Sequence, residues 1–323
     1  MSFLRPKTKI DEGDTVIIFL GVNSMHSIQA TPTVVNRKGE EVEHIFQTSF
    51  GALKVRSIIG LEYGNQVKLS KGWAYILQPN PQLWTQTLPH RTQIIYTPDI
   101  SMIIHQLDLR PGSVIVESGT GSGSLSHFLL HAIKPSGRLH TFDFHEARAK
   151  QAQDEFQNHG LSEFVCVYNR DVCEFGFGTQ LEGKVDAVFL DLPAPQLAVP
   201  HAVQVFKKQV LNICAFHAGG RFCSFSPCIE QSQRCCEALK NHGFTEIQSL
   251  EILQQENQVK TKSLSLINLD FVKQKKPLNS STEEKQHLPS KDVIKVLTTF
   301  QPMTHTGHTG FLTFATLPPV FAR

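Results

Sequence analysis

Residues 114–124 read VIVESGTGSGS, an apolar run that meets Glu117 and then passes through glycines at 119, 121 and 123. The β-branched run predicts a buried strand. Glycines two apart predict a turn with positive φ that opens a helix whose first N–H groups are free. Such a turn can cradle a nucleotide-type ligand, and taken alone it also describes a plain tight strand-to-helix connection. The surroundings decide between the two. RLHTFDF (138–144), EFVCVYN (163–169), VDAVFLD (185–191) and GGRFCSFS (219–226) are strand-like, and helical stretches lie between them through 145–159, near 198–210 and through 229–242. Strands that alternate with helices pair in parallel and predict a doubly wound α/β sheet. Asp143, Asp171 and Asp191 stand at or just past the ends of successive strands, where an open parallel sheet gathers its ligand-binding groups.

That arrangement separates two cofactors. A dinucleotide needs the first turn and one acid for its ribose. An adenosine-sized ligand lying across several strand ends uses Asp143 for the ribose and Asp171 for the adenine. S-adenosylmethionine (AdoMet) is therefore favoured over NAD.

The rest of the chain is consistent with a globular protein of more than one part. Its 323 residues are 40% hydrophobic and 19% charged, enough for one sizeable core and a smaller domain. Short β-rich runs cut by Gly and Asn over 13–77 predict a small β-barrel-like domain, placed at 1–85, ahead of an α/β domain at 86–271. Residues 272–305, centred on KQKKPLNSSTEEKQHLPSK, read as a polar mobile insertion, and TGFLTFATL within 306–323 as a last strand returning to the sheet. Seven cysteines without zinc spacing or a secretory leader suggest a reduced setting and no metal. No run is long enough to span a bilayer. The net charge of +2 divides unevenly: residues 1–91 carry 10 Lys+Arg against 7 Asp+Glu, 92–253 carry 12 against 17, and 254–323 carry 9 against 5. Nucleic-acid binding would thus rest on local basic patches or on a basic partner. His127, His131 and His145 flank the glycine turn and are given no role. His305 and His308 lack a third ligand for a metal.

ESGTGSGS, FDFHEAR, RDV, FLDLPAP, GGRFCSFSPCIEQ, LPHRTQIIYTPD and GHTGFLTFAT together resemble the catalytic subunit of the eukaryotic tRNA adenine-N1 methyltransferases, over most of 10–260 and 305–317. The resemblance implies a Rossmann-like class I AdoMet-dependent methyltransferase fold behind a small N-terminal β-domain. It also implies methylation of the T-loop adenosine at position 58 of tRNA, and a nuclear heterotetramer with a non-catalytic paralogue. Leu88, Ser122, Gly123, Ser124, Asp143, Arg148, Asp171, Val172 and Asp191 correspond to cofactor contacts, beside Glu117, Gly119 and Gly121 of the turn itself. Asp191 is the expected catalytic residue. Pro193, Ser224, Phe225, Ser226 and Thr309 are expected near the substrate base, with Phe225 equally readable as core packing and Thr309 as a plain strand start. Arg91 is expected near phosphates, whereas the Lys273, Lys275 and Lys276 cluster reads more readily as a solvated linker than as a phosphate contact. The sequence departs from the family at Gln196, where a Trp is usual, and in the longer apolar VFKKQVLNICAFHA before GGRF. The competing readings are a non-catalytic RNA-binding subunit on the same fold, and a methyltransferase acting on protein or a small molecule.

Overall fold

The computed structural model describes residues 3–207, 219–266, 293–302 and 307–319. They form two units, Met1–Ile252 with Thr309–Arg323, and Leu253–His308.

The first unit begins with strands β1 (Thr15–Gly21), β2 (Ser24–Gln29), β3 (Thr33–Val35), β4 (Glu41–Glu43), β5 (Ile45–Thr48), β6 (Gly51–Lys54), β7 (Gln66–Lys68) and β8 (Trp73–Leu77). They make an antiparallel sheet in the order β2-β1-β8-β7 and two hairpins, β3-β4 and β5-β6. Alternation along β8 sends Ala74 and Ile76 inward, where they join Val16, Ile18, Leu53, Val55 and Ile58 in a core of their own. Helix α1 (Pro81–Thr87) follows, with Asn80 accepting from the Leu83 N–H and Pro81 at its start, a side-chain cap and a residue that needs no N–H partner there. Helix α2 is Thr97–Gln106.

The α/β part then runs β9 (Val114–Ser118), α3 (Ser124–Ile133), β10 (Arg138–Asp143), α4 (Glu146–Asn158), β11 (Val165–Asn169), α5 (Val172–Phe175), β12 (Ala187–Asp191), α6 (Val199–Val205), β13 (Gly220–Ser226), α7 (Ile229–Asn241) and β14 (Thr245–Glu251). With β17 (Phe311–Leu317) they form a seven-stranded sheet in the order β11-β10-β9-β12-β13-β17-β14. The β11-β10-β9-β12-β13 strands are parallel, and β17 is antiparallel to both of its neighbours. Both faces are covered, which is why the parallel strands read as unbroken apolar runs. Phe189 and Ile115 face α2, α3 and α4 through Ile103, Leu129 and Phe156. Val188, Leu190 and Val116 face α6 and α7 through Ala202, Val205 and Leu239. The strand order reverses between β9 and β12, and a crevice opens at such a switch point beyond the carboxyl ends of the strands.

The second unit contains β15 (Gln258–Ser265) paired antiparallel with β16 (Val293–Phe300). Part of the stretch expected to be a polar mobile insertion is thus a strand, because VIKVLTTF (293–300) is β-branched and apolar despite its polar surroundings. Lys273, Lys275, Lys276 and His305 lie outside the described residues. No described helix is long and apolar enough to cross a membrane.

Candidate active site

The glycine turn closes directly on the end of β12. Gly119 has φ +98°, and a Cβ there would run into the carbonyl oxygen of Asp191. Gly123 caps α3 in the left-handed conformation at φ 77°. The turn is held by Gly119 N–H donating to the Phe142 carbonyl at 2.9 Å and Gly121 N–H donating to Asp143 Oδ2 at 3.1 Å. Between turn and strand end lies a small cavity of about 30 Å³ lined by Thr92–Ile95, Glu117, residues 119–125, Phe189 and Asp191.

Two carboxyl groups meet this cavity. Glu117 is buried, and one of its oxygens accepts from Ser126 Oγ and Thr141 Oγ1, each at 2.7 Å. Burial raises its pKa to about 7 against the lowering effect of those hydroxyls, and the charges of Asp191 and Asp143 add to the rise. Asp191 is half-buried, and burial raises its pKa to about 6. Among the described residues no donor reaches its carboxylate. Two carboxyls raised in this way fit a cationic ligand, which would restore both to their charged forms.

The shifts fix the sign of a pH effect. Both folded values lie above the ordinary carboxyl values of 4.5 and 3.8, so between those values and about 6 to 7 the folded chain holds protons that the unfolded chain has released. The two carboxyls therefore contribute stability that is lost as pH rises through that window, whereas burial of His127, His140 and His159 with lowered pKa values acts in the opposite sense. Thermal melts of the unaltered protein beside Glu117→Gln from pH 5 to 7.5 isolate the Glu117 part: the stability of the unaltered protein relative to the variant should fall across that range.

The remaining expected contacts fall into two groups. Asp143 is buried; its Oδ1 accepts from the His145 N–H at 2.9 Å and from Arg148 Nε at 3.1 Å. It stands at the expected strand end with Arg148 bound to it. Asp171 caps α5 by accepting from Cys173 N–H at 2.9 Å through Oδ1. The side chains of Leu88 and Val172 are in apolar clusters, Leu88 with Trp84 and Ile94, Val172 with Phe142 and Leu190, so any ligand contact there falls to the backbone. The hydroxyls of Ser122 and Ser124 are likewise engaged within the protein. Ser122 Oγ accepts from the N–H groups of Arg91 and Thr92 at 2.8 and 3.0 Å, and Ser124 Oγ donates to the Ile95 carbonyl at 3.0 Å and contacts Thr85 Oγ1 at 2.8 Å.

Several substrate-side expectations change. Arg91, expected near phosphates, is engaged within the protein: its guanidinium pairs with Glu155 at 2.9 Å and its Nε donates to the Gly121 carbonyl at 3.3 Å. Ser224 and Ser226 lie on the opposite face of β13 from the Asp191 side chain. Asp191 is in register with Phe225, and side chains alternate along a strand, so Phe225 shares its face. Ser224 Oγ instead contacts Cys235 Sγ at 3.2 Å beneath α7, and Ser226 Oγ is buried without a partner. Phe225 packs where Gly310 leaves room for its ring. Thr309 donates to Asp99 Oδ1 at 3.2 Å. The Pro193 carbonyl accepts from Gln231 at 2.9 Å, fixing the chain just past Asp191. Gln196, in place of the family Trp, has a buried Oε1 without a donor.

A set of supports escaped the sequence reading. His127, on α3, is buried; its Nδ1–H donates to the Gly123 carbonyl at 2.6 Å, and its Nε2 accepts from His159 Nδ1–H at 2.8 Å. Burial lowers the pKa of His127 to about 4 and that of His159 to about 2, so the pair is neutral. Together with Arg91–Glu155 it braces the glycine turn from behind. His127, Glu155 and His159 also offer ligand atoms within 4.8 Å of one another, but the histidine pair and Arg91 already engage most of those atoms. The detectable signal was the i, i+4 spacing of Glu155 and His159 on one helix face.

The strand order with its antiparallel β17, and the glycine turn closing on Asp191, define the class I methyltransferase fold. The chain resembles the SAM-dependent O-methyltransferase of Thermotoga maritima with a TM-score of 0.70 at 23% identity, covering 96% of this chain and 95% of that one. It resembles the tRNA (m1A58) methyltransferase TrmI of Aquifex aeolicus with a TM-score of 0.64 at 19% identity, covering 95% and 98%. The family described as tRNA methyltransferase complex GCD14 subunit matches residues 72–317, and the chain belongs to that family. It is 41% identical over 255 residues to the tRNA (adenine(58)-N(1))-methyltransferase catalytic subunit TRM61 of Candida albicans, covering 78% of this chain and 70% of that protein. It is also 41% identical over 254 residues to the catalytic subunit trmt61a of Dictyostelium discoideum, covering 77% and 75%.

Proposed function

We propose that this chain is the catalytic subunit of an AdoMet-dependent tRNA methyltransferase that modifies N1 of adenosine 58, acting in the nucleus with a non-catalytic paralogue as a heterotetramer. The observation that carries the catalytic part is the Asp191 carboxylate, unpartnered among the described residues and set against the glycine turn at the switch point of the sheet. The site fits AdoMet in three respects. The glycine turn opens α3 at the switch point of the sheet, a buried Asp143 lies beside it, and two carboxyls with raised pKa values await a positive charge.

AdoMet supplies a methyl group on a sulfonium centre. N1 of adenine attacks with an in-plane lone pair and needs no prior loss of a proton, so the protein's task is alignment. Asp191 accepts from the neighbouring N6 amino group, which holds the ring in line and stabilises the positive charge that develops on it. Pro193 and Pro195 restrict the backbone after Asp191, and the Gln231 bond to Pro193 keeps that turn in place. Because N1 lies on the pairing edge, the base must leave its stack to be methylated.

Partnership is supported by the word "complex" in the family description and by the second unit. In β15 and β16, Val259, Leu264, Val293, Ile294 and Leu297 are exposed. A two-stranded ribbon is marginal in water by itself, and apolar exposure of this kind marks an interaction surface. The nuclear assignment rests on the family resemblance alone.

Mass spectrometry of tRNA nucleosides after incubation with AdoMet and the paralogous subunit tests the activity, with N1-methyladenosine at position 58 as the expected product. Calorimetry separates the catalytic subunit from a non-catalytic one. AdoMet should bind this chain, and absence of binding at high micromolar concentration with the partner present would assign the catalysis elsewhere.

A further inference from the structure

The N-terminal β-domain carries an exposed feature that its own core does not use. On β8 the inward residues Ala74 and Ile76 are fully buried, whereas Trp73 is 52% and Tyr75 36% exposed, with ring centroids 5.3 Å apart in an edge-to-face arrangement. Tyr75 lies directly opposite the half-buried Phe19 on β1 and opposite Gln66 on β7, while Trp73 lies opposite the exposed Lys68. Lys71 is exposed in the turn that joins β7 to β8, its N–H donating to the carbonyl of Phe50 at 3.1 Å, and Phe50 is itself 47% exposed.

The chain that carries these rings is free of carboxylates: residues 63–98 contain no Asp or Glu, and Lys68 and Lys71 are both exposed. The same sheet face also leads toward the active site. Its next row, Ile17 with Ser27 and Leu77, runs under the end of α1, where Ser27 Oγ donates to the Thr87 carbonyl at 3.0 Å. A few residues later Thr92–Ile95 line the cavity beside Asp191.

We propose that Trp73 and Tyr75, with Lys68 and Lys71 beside them, form a stacking and phosphate-contact strip for unpaired nucleotides of the tRNA substrate. Aromatic rings on a rigid strand within a basic surround are how proteins hold single-stranded nucleic acid, since every base has a face to stack and every nucleotide a phosphate. A protein partner is the rival occupant. Lysine is depleted in protein interfaces relative to the rest of the surface, and a 36-residue stretch free of carboxylates favours an anion. The inference rests on the chain being a tRNA methyltransferase.

The test is equilibrium tRNA binding and methylation by the complete enzyme, assembled with its partner subunit. Trp73→Ala with Tyr75→Ala should weaken tRNA binding about tenfold or more, with AdoMet affinity and the rate at saturating tRNA retained. Trp73→Phe with Tyr75→Phe should restore binding, because stacking needs the rings and not their polar atoms. Lys68→Ala with Lys71→Ala should reduce the salt slope of tRNA binding by roughly one to two. In the unaltered enzyme, tRNA should quench tryptophan fluorescence, and Trp73→Phe should remove that quench while Trp84 remains. Unchanged tRNA affinity in the double alanine variant, or an absent quench, overturns the proposal. So does loss of subunit assembly with normal tRNA affinity in the assembled fraction, which would give the strip to a protein interface. If the unaltered enzyme neither binds nor methylates tRNA, the functional reading fails as well; if it does both and the variants match it, only the strip is lost.

Discussion

Asp191→Asn should cut methylation by about two to three orders of magnitude, the loss typical when a preorganised electrostatic group is removed from a reacting centre. AdoMet binding and the fold should survive. The carboxylate has no hydrogen bond among the described residues to lose, and its raised pKa means that the charge opposes folding at neutral pH. The ligand-free variant should accordingly melt at or slightly above the temperature of the unaltered protein. Asparagine keeps the shape but presents a neutral oxygen that stabilises a developing cation poorly. The comparison to make is single-turnover methylation at saturating AdoMet and tRNA, alongside a thermal melt. Substantial turnover in the variant would take Asp191 out of the mechanism. A collapse in melting temperature would instead mean that the residue supports the fold.

Gly119→Ala should be nearly as damaging for a different reason. The backbone there has φ +98°, a region costly for any residue with a Cβ. The added Cβ would also meet Asp191 backbone, with the Asp191 Cβ itself only 3.1 Å away. Since the obstruction is backbone at the end of a central strand, neither side can yield by a rotamer change. Separating them displaces the catalytic carboxylate and the turn together. The expected outcome is a stability loss on the order of 3 kcal/mol and a fall in AdoMet affinity of about a hundredfold, measured by calorimetry. Gly121→Ala provides the contrast. There the new Cβ would meet Thr92 Oγ1 at 2.7 Å, a side-chain atom that can move, so the loss should be smaller. Equal and mild effects at both positions would show that the turn does not depend on its contact with β12.

The α/β architecture was readable because its signals are local. VIVES and VDAVFLD are apolar throughout, as strands covered on both faces must be, and the glycines that follow the first of them can only make a turn. The acids at 143, 171 and 191 could be placed because strand ends were recognisable from composition. Helix α6 was expected to run to about 210, but its described portion ends at Val205 with Phe206 extended. The strand character of 293–300 was hidden by the polar run before it.

Side-chain partnerships were a different matter. Arg91 looks like a phosphate ligand in a basic stretch, yet its partner Glu155 lies 64 residues away on α4. His127 looks like a surface residue of an amphipathic helix, yet it is buried against His159. Ser224 and Phe225 are adjacent in SFSPC, and nothing local says which of them shares a face with Asp191. The register between β12 and β13 decides it, because a shift of one residue exchanges the two faces of a strand.

The amino-acid string by itself therefore determined the strand and helix succession, the ligand-cradling turn and the acids at the strand ends, all consequences of backbone preference and hydrophobic period within a few residues. Only the tertiary structure decided which groups brace that turn, which side chains face Asp191, and that its carboxylate is left unpaired among the described residues. Those depend on packing and register between segments far apart in the chain, and no local preference encodes them.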